Sequence, residues 1–305
     1  MAKIEKVMVI GASGDQGIPL VSALLENGAE VVCGARRLDA MAATPHAGLA
    51  TVIADINDVA SLEAAFAEVD AVAMHLPFEH DVELAAIFGQ NIAAAAKASG
   101  LKKIVFNTSC FVTDTDLGLG GHDGRRRIEQ SIRDCGVDHV ILRPVVFMDN
   151  AARVWLKPAI VNNDKFVYPA SEQLQISWIC LEDLGKLLAY ATLNEGISNE
   201  TITVGGPEPL TGHEVAERIS AAAGRTVAFD SISPQMFAEN MSELVTGSRE
   251  VDPDSVYSGM AKFYQWYNEQ ETSPLAIEPT SFSAKFPLKL KSYQEWASQQ
   301  DWSKV

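Results

Sequence analysis

The heptapeptide GASGDQG, Gly11–Gly17, lies between a short β-branched run, KVMVI, and a segment of helical pattern. Glycines at such a junction allow a tight turn and let the backbone approach a ligand closely. The helix that follows offers unpaired N–H groups and a partial positive charge. That combination suits a diphosphate. Backbone amides of Gly11, Gly14, Asp15, Gln16 and Gly17 are expected to hold it, with the Ser13 hydroxyl as an added donor. The spacing is Gly-x-x-Gly-x-x-Gly rather than Gly-x-Gly-x-x-Gly, so the strand-turn-helix context carries the assignment.

Arg36 and Arg37 close the next apolar run. In a dinucleotide site a carboxylate at this place binds a ribose 2′-hydroxyl, whereas a guanidinium suits a 2′-phosphate. Glu30 stands at the far end of the run, and Asp39 reads as a helix start, so NADP is favoured over NAD. Asp55 and Ile56, at the end of the third run, are expected beside the adenine. Leu76 and Pro77 follow the fourth run, and Asn107 and Thr108 the fifth. These four are expected toward the nicotinamide end. His75 and His80, in MHLPFEH, are either catalytic or packed.

The stretch GGHDGRRRIEQ, Gly120–Gln130, places three arginines in a row. Helical spacing over Gly124–Cys135 puts Arg125, Ile128, Glu129 and Ile132 on one inward face, and Arg126, Gln130 and Arg133 on a polar one. Arg125 then either orients a nicotinamide ribose, stabilises an enolate or phenolate by charge, or pairs with Glu129. His122, about one turn earlier, is a candidate general acid with a suitable unperturbed pKa. Ser109 and Thr108 could donate to a carbonyl oxygen or serve as turn caps. Phe147 and Asn150, in RPVVFMDN, are candidates to contact a substrate.

The elements that must position these residues are visible as alternation. Apolar runs at Lys6–Ile10, Glu30–Gly34, Ala50–Ala54, Ala71–Leu76, Lys103–Asn107 and His139–Arg143 read as strands covered on both faces. Helical patterns lie between them at Gly17–Asn27, Val59–Glu68, Val82–Ser99 and Gly124–Cys135. The result is an α/β fold, a doubly wound parallel sheet of Rossmann type. Its domain is expected over residues 1–155, with elements returning from about 176 to 205. Residues 156–305 are expected to form a smaller α+β substrate domain. The aromatic tail, with Phe263, Tyr264, Trp266, Tyr267, Tyr293, Trp296 and Trp302, either packs helix on helix or roofs a flat substrate.

Composition sets limits. The 305 residues are 47% hydrophobic and 21% charged, with a formal net charge of −16. That surface repels phosphate backbones, so no direct nucleic-acid partner is expected. Cys33, Cys110, Cys135 and Cys180 are scattered without metal-ligand spacing, so no metal is expected and reduced thiols suit a cytoplasmic protein. No leader-like segment and no membrane-spanning apolar run is found. The oligomeric state has no signature in the sequence.

The chain resembles the NmrA-like group of atypical short-chain dehydrogenase/reductases. The resemblance rests on GASGDQG, Arg36, DINDVASLEAAFAEVDAV at Asp55–Val72 and NIAAAAKASGLKKIVFNTS at Asn91–Ser109. It continues through IEQSIRDCGVDHVILRPVVFMDN at Ile128–Asn150, ISWICLEDLGKLL at Ile176–Leu188 and GPEPLTGHEVAERISAAAGR at Gly206–Arg225, and is weakest at the extreme C-terminus. It implies a Rossmann domain, a smaller C-terminal domain with a substrate cleft between the two, and NADP(H) binding. Two activities are consistent with it. One is NADPH-dependent reduction of a small apolar, aromatic, quinoid or enone-like substrate. The other is a silent redox sensor acting through a protein partner. The Tyr-x-x-x-Lys pair of the wider superfamily is missing, and Arg125 stands where many relatives carry lysine. A guanidinium stays charged and is a poor proton donor, so the departure bears on the chemistry.

Overall fold

The structure, a computed structural model, describes residues 3–305. In chain order it has β1 (Lys6–Ile10), α1 (Gly17–Glu26), β2 (Glu30–Ala35), β3 (Thr51–Ile53), α2 (Val59–Phe66), β4 (Ala71–His75) and α3 (Val82–Ser99). Then follow β5 (Lys103–Asn107), α4 (Gly120–Asp134), β6 (Asp138–Pro144), α5 (Lys157–Asn163), β7 (Lys165–Tyr168), α6 (Leu181–Leu193) and β8 (Glu200–Val204). The chain closes with α7 (Gly212–Ala223), β9 (Ala228–Ser231), α8 (Pro234–Thr246), α9 (Val256–Asn268), α10 (Thr280–Ser283) and α11 (Tyr293–Ala297).

The main sheet runs β3-β2-β1-β4-β5-β6-β8, and its first six strands pair in parallel. Val7, Met8, Val9, Ala73, Met74, Ile104, Val105 and Phe106 are fully buried, as strands covered on both faces require. The order reverses between β1 and β4, the place where an open α/β sheet leaves a crevice beyond its strand ends. Helix ends follow local chemistry. Asp58 accepts from Ala60 N and Ser61 N at the start of α2, and Asp81 accepts from Glu83 N and Leu84 N at the start of α3. Gly100 ends α3 in the left-handed region, φ 71°.

Two compact units are present. The first runs to Pro144 and takes in Leu181–Thr203 and Phe282–Leu288; the second comprises Val145–Cys180, Val204–Ser281 and Lys289–Val305. In the second unit β7 and β9 pair in parallel, Phe166 opposite Phe229. Aromatic packing holds it together. Phe166 and Tyr168 stack at 5.7 Å, Trp178 meets both edge-on, and the Tyr168 and Tyr264 hydroxyls lie 2.5 Å apart. Phe263, Tyr264, Tyr267, Tyr293, Trp296 and Trp302 are buried and Trp266 is partly exposed, so in this structure most of the aromatic tail packs into the core.

Candidate functional site

The site begins where β1 stops. Gly11 takes φ +85°, a conformation side chains rarely adopt. The turn closes with Gly14 N donating to Gly11 O (3.0 Å), and Gly17 N and Ile18 N donating to Gly14 O (2.9 and 3.0 Å). Each glycine has a distinct reason. A Cβ on Gly17 would lie 2.1 Å from Gly11 O; one on Gly14 would lie 3.1 Å from His75 Nε2. Gln16, the residue before α1, makes no side-chain cap, but Gly17 N and Ile18 N are already given to Gly14 O and Pro19 has no N–H, so a ligand here would meet amides of the turn rather than those of the helix's first residues. A close backbone cradle at a helix N-terminus fits a diphosphate.

A cavity of about 690 Å³ opens over this turn. Its walls come from the ends of four adjacent strands. Gly11–Gly14 follow β1, Gly34–Arg37 end β2, Ala54 and Ile56 follow β3, and His75–Pro77 end β4. Ala40 and Met41 complete it from the loop after β2. Of the residues expected from sequence, Gly11, Ser13, Gly14, Arg36, Arg37, Ile56, Leu76 and Pro77 are thus brought to one cavity. Arg37 Nε lies 3.5 Å from the Asp39 carboxylate, with both side chains exposed.

Other expected residues stand behind the wall. Asp55 turns its carboxylate to Asn57 N and Nδ2, both at 3.0 Å, and these bonds, with the nearby Arg36 charge, hold its pKa below the ordinary value. Asn107 Nδ2 donates to Gln16 Oε1 (2.7 Å), and its Oδ1 accepts from Ser109 N (2.8 Å), so Asn107 ties the glycine turn to the end of β5. The Thr108 hydroxyl is fully buried within reach of Cys110 O (2.7 Å) and Leu142 O (3.2 Å), which is a turn-capping position. Ser109 sits at φ 63°, left-handed for a non-glycine residue, and its buried Oγ has no hydrogen-bond partner. Phe147 and Asn150 belong to the second unit: Phe147 bridges to Ile179, and Asn150 lies in the 3-10 turn Met148–Ala152.

The arginine triplet divides. α4 begins at Gly120, four residues before the expected Gly124, and carries His122 and Asp123 inside it. Arg125, 2% exposed, donates through Nη2 to Leu76 O (2.8 Å) and Pro77 O (3.1 Å), with its guanidinium 5.2 Å from the Phe78 ring centre. Nε and Nη1 have no hydrogen-bond partner. The pairing with Glu129 considered from helical spacing is not made. Glu129 instead receives Arg143 at 2.8 and 2.7 Å and Arg133 at 3.1 Å. Arg126 and Arg127 share Asp116, at 2.8 and 2.6 Å, so Arg126 is ion-paired rather than simply solvated. Glycines let α4 come this close. A Cβ on Gly121 would lie 2.2 Å from the Phe78 ring, and one on Gly120 2.2 Å from His80 O.

Two histidines are pushed down to about 4. His122 is fully buried, and burial dominates, with Arg143 and Arg126 adding to it. For His75 burial again leads, then the Arg125 charge, opposed by Asp15. Both rings are neutral at pH 7, so the expected imidazolium acid at His122 is not available there. Sequence reasoning missed Ala40 and Met41; Met41 is 2% exposed in a loop without periodicity, which left no pattern to read. Among the described residues no group of His, Cys, Asp and Glu could hold a metal ion, and no helix is long and apolar enough to cross a membrane.

Comparison with known proteins gives a consistent result. The model of the NmrA-like family matches residues 3–298. The NAD(P)H azoreductase of Xenophilus azovorans is 29% identical over 262 residues, 85% of this chain and 86% of that one. A (4-alkanoyl-5-oxo-2,5-dihydrofuran-3-yl)methyl phosphate reductase of Streptomyces griseus is 27% identical over 228 residues, covering 74% and 77%. Among solved structures, the NADPH-dependent quinone oxidoreductase of Escherichia coli in complex with NADPH superposes with a TM-score of 0.78 at 20% identity, over 96% of this chain and 98% of that one. The triphenylmethane reductase of Citrobacter sp. complexed with NADP(H) gives 0.78 at 20% identity, over 96% and 99%.

Proposed function

Because the chain belongs to the NmrA-like family, we propose that it is an NADPH-dependent oxidoreductase of a small apolar acceptor, aromatic, quinoid or enone-like in structure. The observation that carries this reading is the one cavity lined by the glycine turn, by Arg36 and Arg37, and by Leu76 and Pro77. Bound NADPH would supply the hydride. Relatives named for azo, quinone and triphenylmethane-dye reduction support conjugated acceptors.

The chain's own residues take these roles. Amides of the Gly11–Gly17 turn hold the diphosphate, and Arg36 holds the 2′-phosphate. Ile56 and Met41 flank the adenine. Leu76 and Pro77, fixed by Arg125, border the nicotinamide end. Ser109 Oγ and the remaining N–H groups of Arg125 are buried behind this wall, so they support it rather than touch the acceptor. With His75 and His122 both neutral at pH 7, the proton comes from solvent.

Arg36→Ala is expected to weaken NADPH binding by about tenfold or more, the worth of a charge-assisted contact, while leaving NADH binding nearly unchanged. Arg37→Ala should cost less, since Arg37 already shares its charge with Asp39. Dissociation constants for both nucleotides check this.

The direct test mixes purified protein, NADPH and a panel of quinones and enones, and follows absorbance at about 340 nm. Acceptor-dependent loss is expected. Intact nucleotide binding with no loss across the panel would favour the second reading, a dinucleotide sensor working through a protein partner. That reading draws on the two neutral histidines and the missing Tyr-x-x-x-Lys pair.

A further inference from the structure

His75 is the last residue of β4, whose Met74 pairs with Ile10 of β1 and whose own partner on β5 is Asn107. It therefore stands level with the start of the glycine turn. The contact is close. A Cβ placed on Gly11 would meet His75 Cε1 at 2.6 Å, and one placed on Gly14 would meet Nε2 at 3.1 Å. The imidazole spans the first and second glycines of the turn and lines the same cavity. On its other side the chain is pinned, because Arg125 holds the carbonyls of Leu76 and Pro77, the next two residues. A continuous set of contacts thus runs from α4 through the end of β4 to the diphosphate turn.

We propose that His75 is the positioning residue of this turn: its imidazole is the surface against which Gly11–Gly14 is shaped, and Gly14 is small to accommodate that ring rather than the ligand. The proposal rests on the turn being a dinucleotide site. Gly14 is the informative position, since its backbone is not left-handed, whereas Gly11 would be strained by any side chain. The ring acts by shape in its neutral form. The charges facing it are Asp15 from the turn and Arg125 from α4, of opposite sign, and burial keeps the ring neutral to about pH 4.

The test is a cycle of Gly14→Ala, His75→Ala and the double variant, with NADP⁺ affinity and ligand-free melting temperature both measured. Gly14→Ala alone is expected to weaken binding about tenfold and lower the melting temperature, because a methyl is forced against the ring. In the His75→Ala background the same methyl should cost almost nothing in either measurement. His75→Gln, neutral and of similar reach, should restore most of the affinity lost in His75→Ala. The ratio of wild-type to His75→Gln affinity should stay flat from about pH 8 to pH 6, as a neutral ring demands. Additive costs for the two alanine substitutions would overturn the proposal. So would a ratio that climbs on acidification, which would mean that His75 meets the diphosphate as a cation. If wild-type protein binds no dinucleotide, the functional reading fails, while the melting temperatures still decide the contact.

Discussion

Gly17→Ala is expected to lower NADP⁺ affinity by about 30-fold or more, the equivalent of roughly 2 kcal/mol of overpacking. The added Cβ would lie 2.1 Å from Gly11 O and 2.7 Å from Ala12 Cα, both backbone atoms that cannot rotate away. The clash could be relieved only by lifting α1 from the turn. That route is blocked from behind, because Gly185 of α6 meets α1 so closely that its own Cβ would lie 2.7 Å from Pro19 C. The strain must therefore appear in the turn, whose amides would hold the diphosphate on the proposed reading. Gly48→Ala serves as the control, since nothing lies within 4 Å of its Cβ position. Calorimetric titration of both variants checks the prediction; wild-type affinity in Gly17→Ala would contradict the geometry.

Glu129→Ala should cost about 3–5 kcal/mol of folding stability, on the order of 10 °C in melting temperature. The Glu129 carboxylate is fully buried and accepts from Arg143 at 2.8 and 2.7 Å, while Arg143 is itself 7% exposed. Removing the acid leaves the Arg143 guanidinium buried between α4 and β6, with only the exposed Asp114 as its ion-pair partner. Replacing both members, Glu129→Leu with Arg143→Met, should recover much of the loss, since an apolar pair of similar volume needs no charge compensation. Denaturant unfolding of the single and double variants measures this. A single variant as stable as wild type, or a double variant no better than the single, would show that the pair is not the link between these elements.

Particular residues show what could be read in advance. β1 and β5 are found where KVMVI and KIVFN place them, and α3 over Val82–Ser99, because continuous apolar runs and helical spacing are local signals. The start of α4 was not legible. Gly120 and Gly121 are poor helix formers, yet the approach of Phe78 and of His80 O demands residues without side chains, and tertiary contact overrides propensity. Phe166–Tyr168 reads as a strand, but its partner Ala228–Ser231 is half exposed and has no alternation to reveal the pairing.

The candidate site divides in the same way. The glycine turn and Arg36 are brought to one cavity as their positions in the sequence suggest, since the strand-turn-helix order fixes where they stand in the sheet. The partners of Arg125 are not, because Leu76 O and Pro77 O are backbone carbonyls that every residue carries. Glu129, a side chain at matching helical spacing, is the natural sequence-level partner, and the fold gives it to Arg143 instead.

The central claim is that the Gly11–Gly17 turn with Arg36 binds a 2′-phosphorylated nicotinamide dinucleotide. Calorimetric titration of native protein with NADP⁺, and separately with NAD⁺, tests it most directly. Saturable binding at one nucleotide per chain is predicted, with NADP⁺ at least about tenfold tighter than NAD⁺. Absence of binding by either nucleotide, or a preference for NAD⁺, would contradict the account.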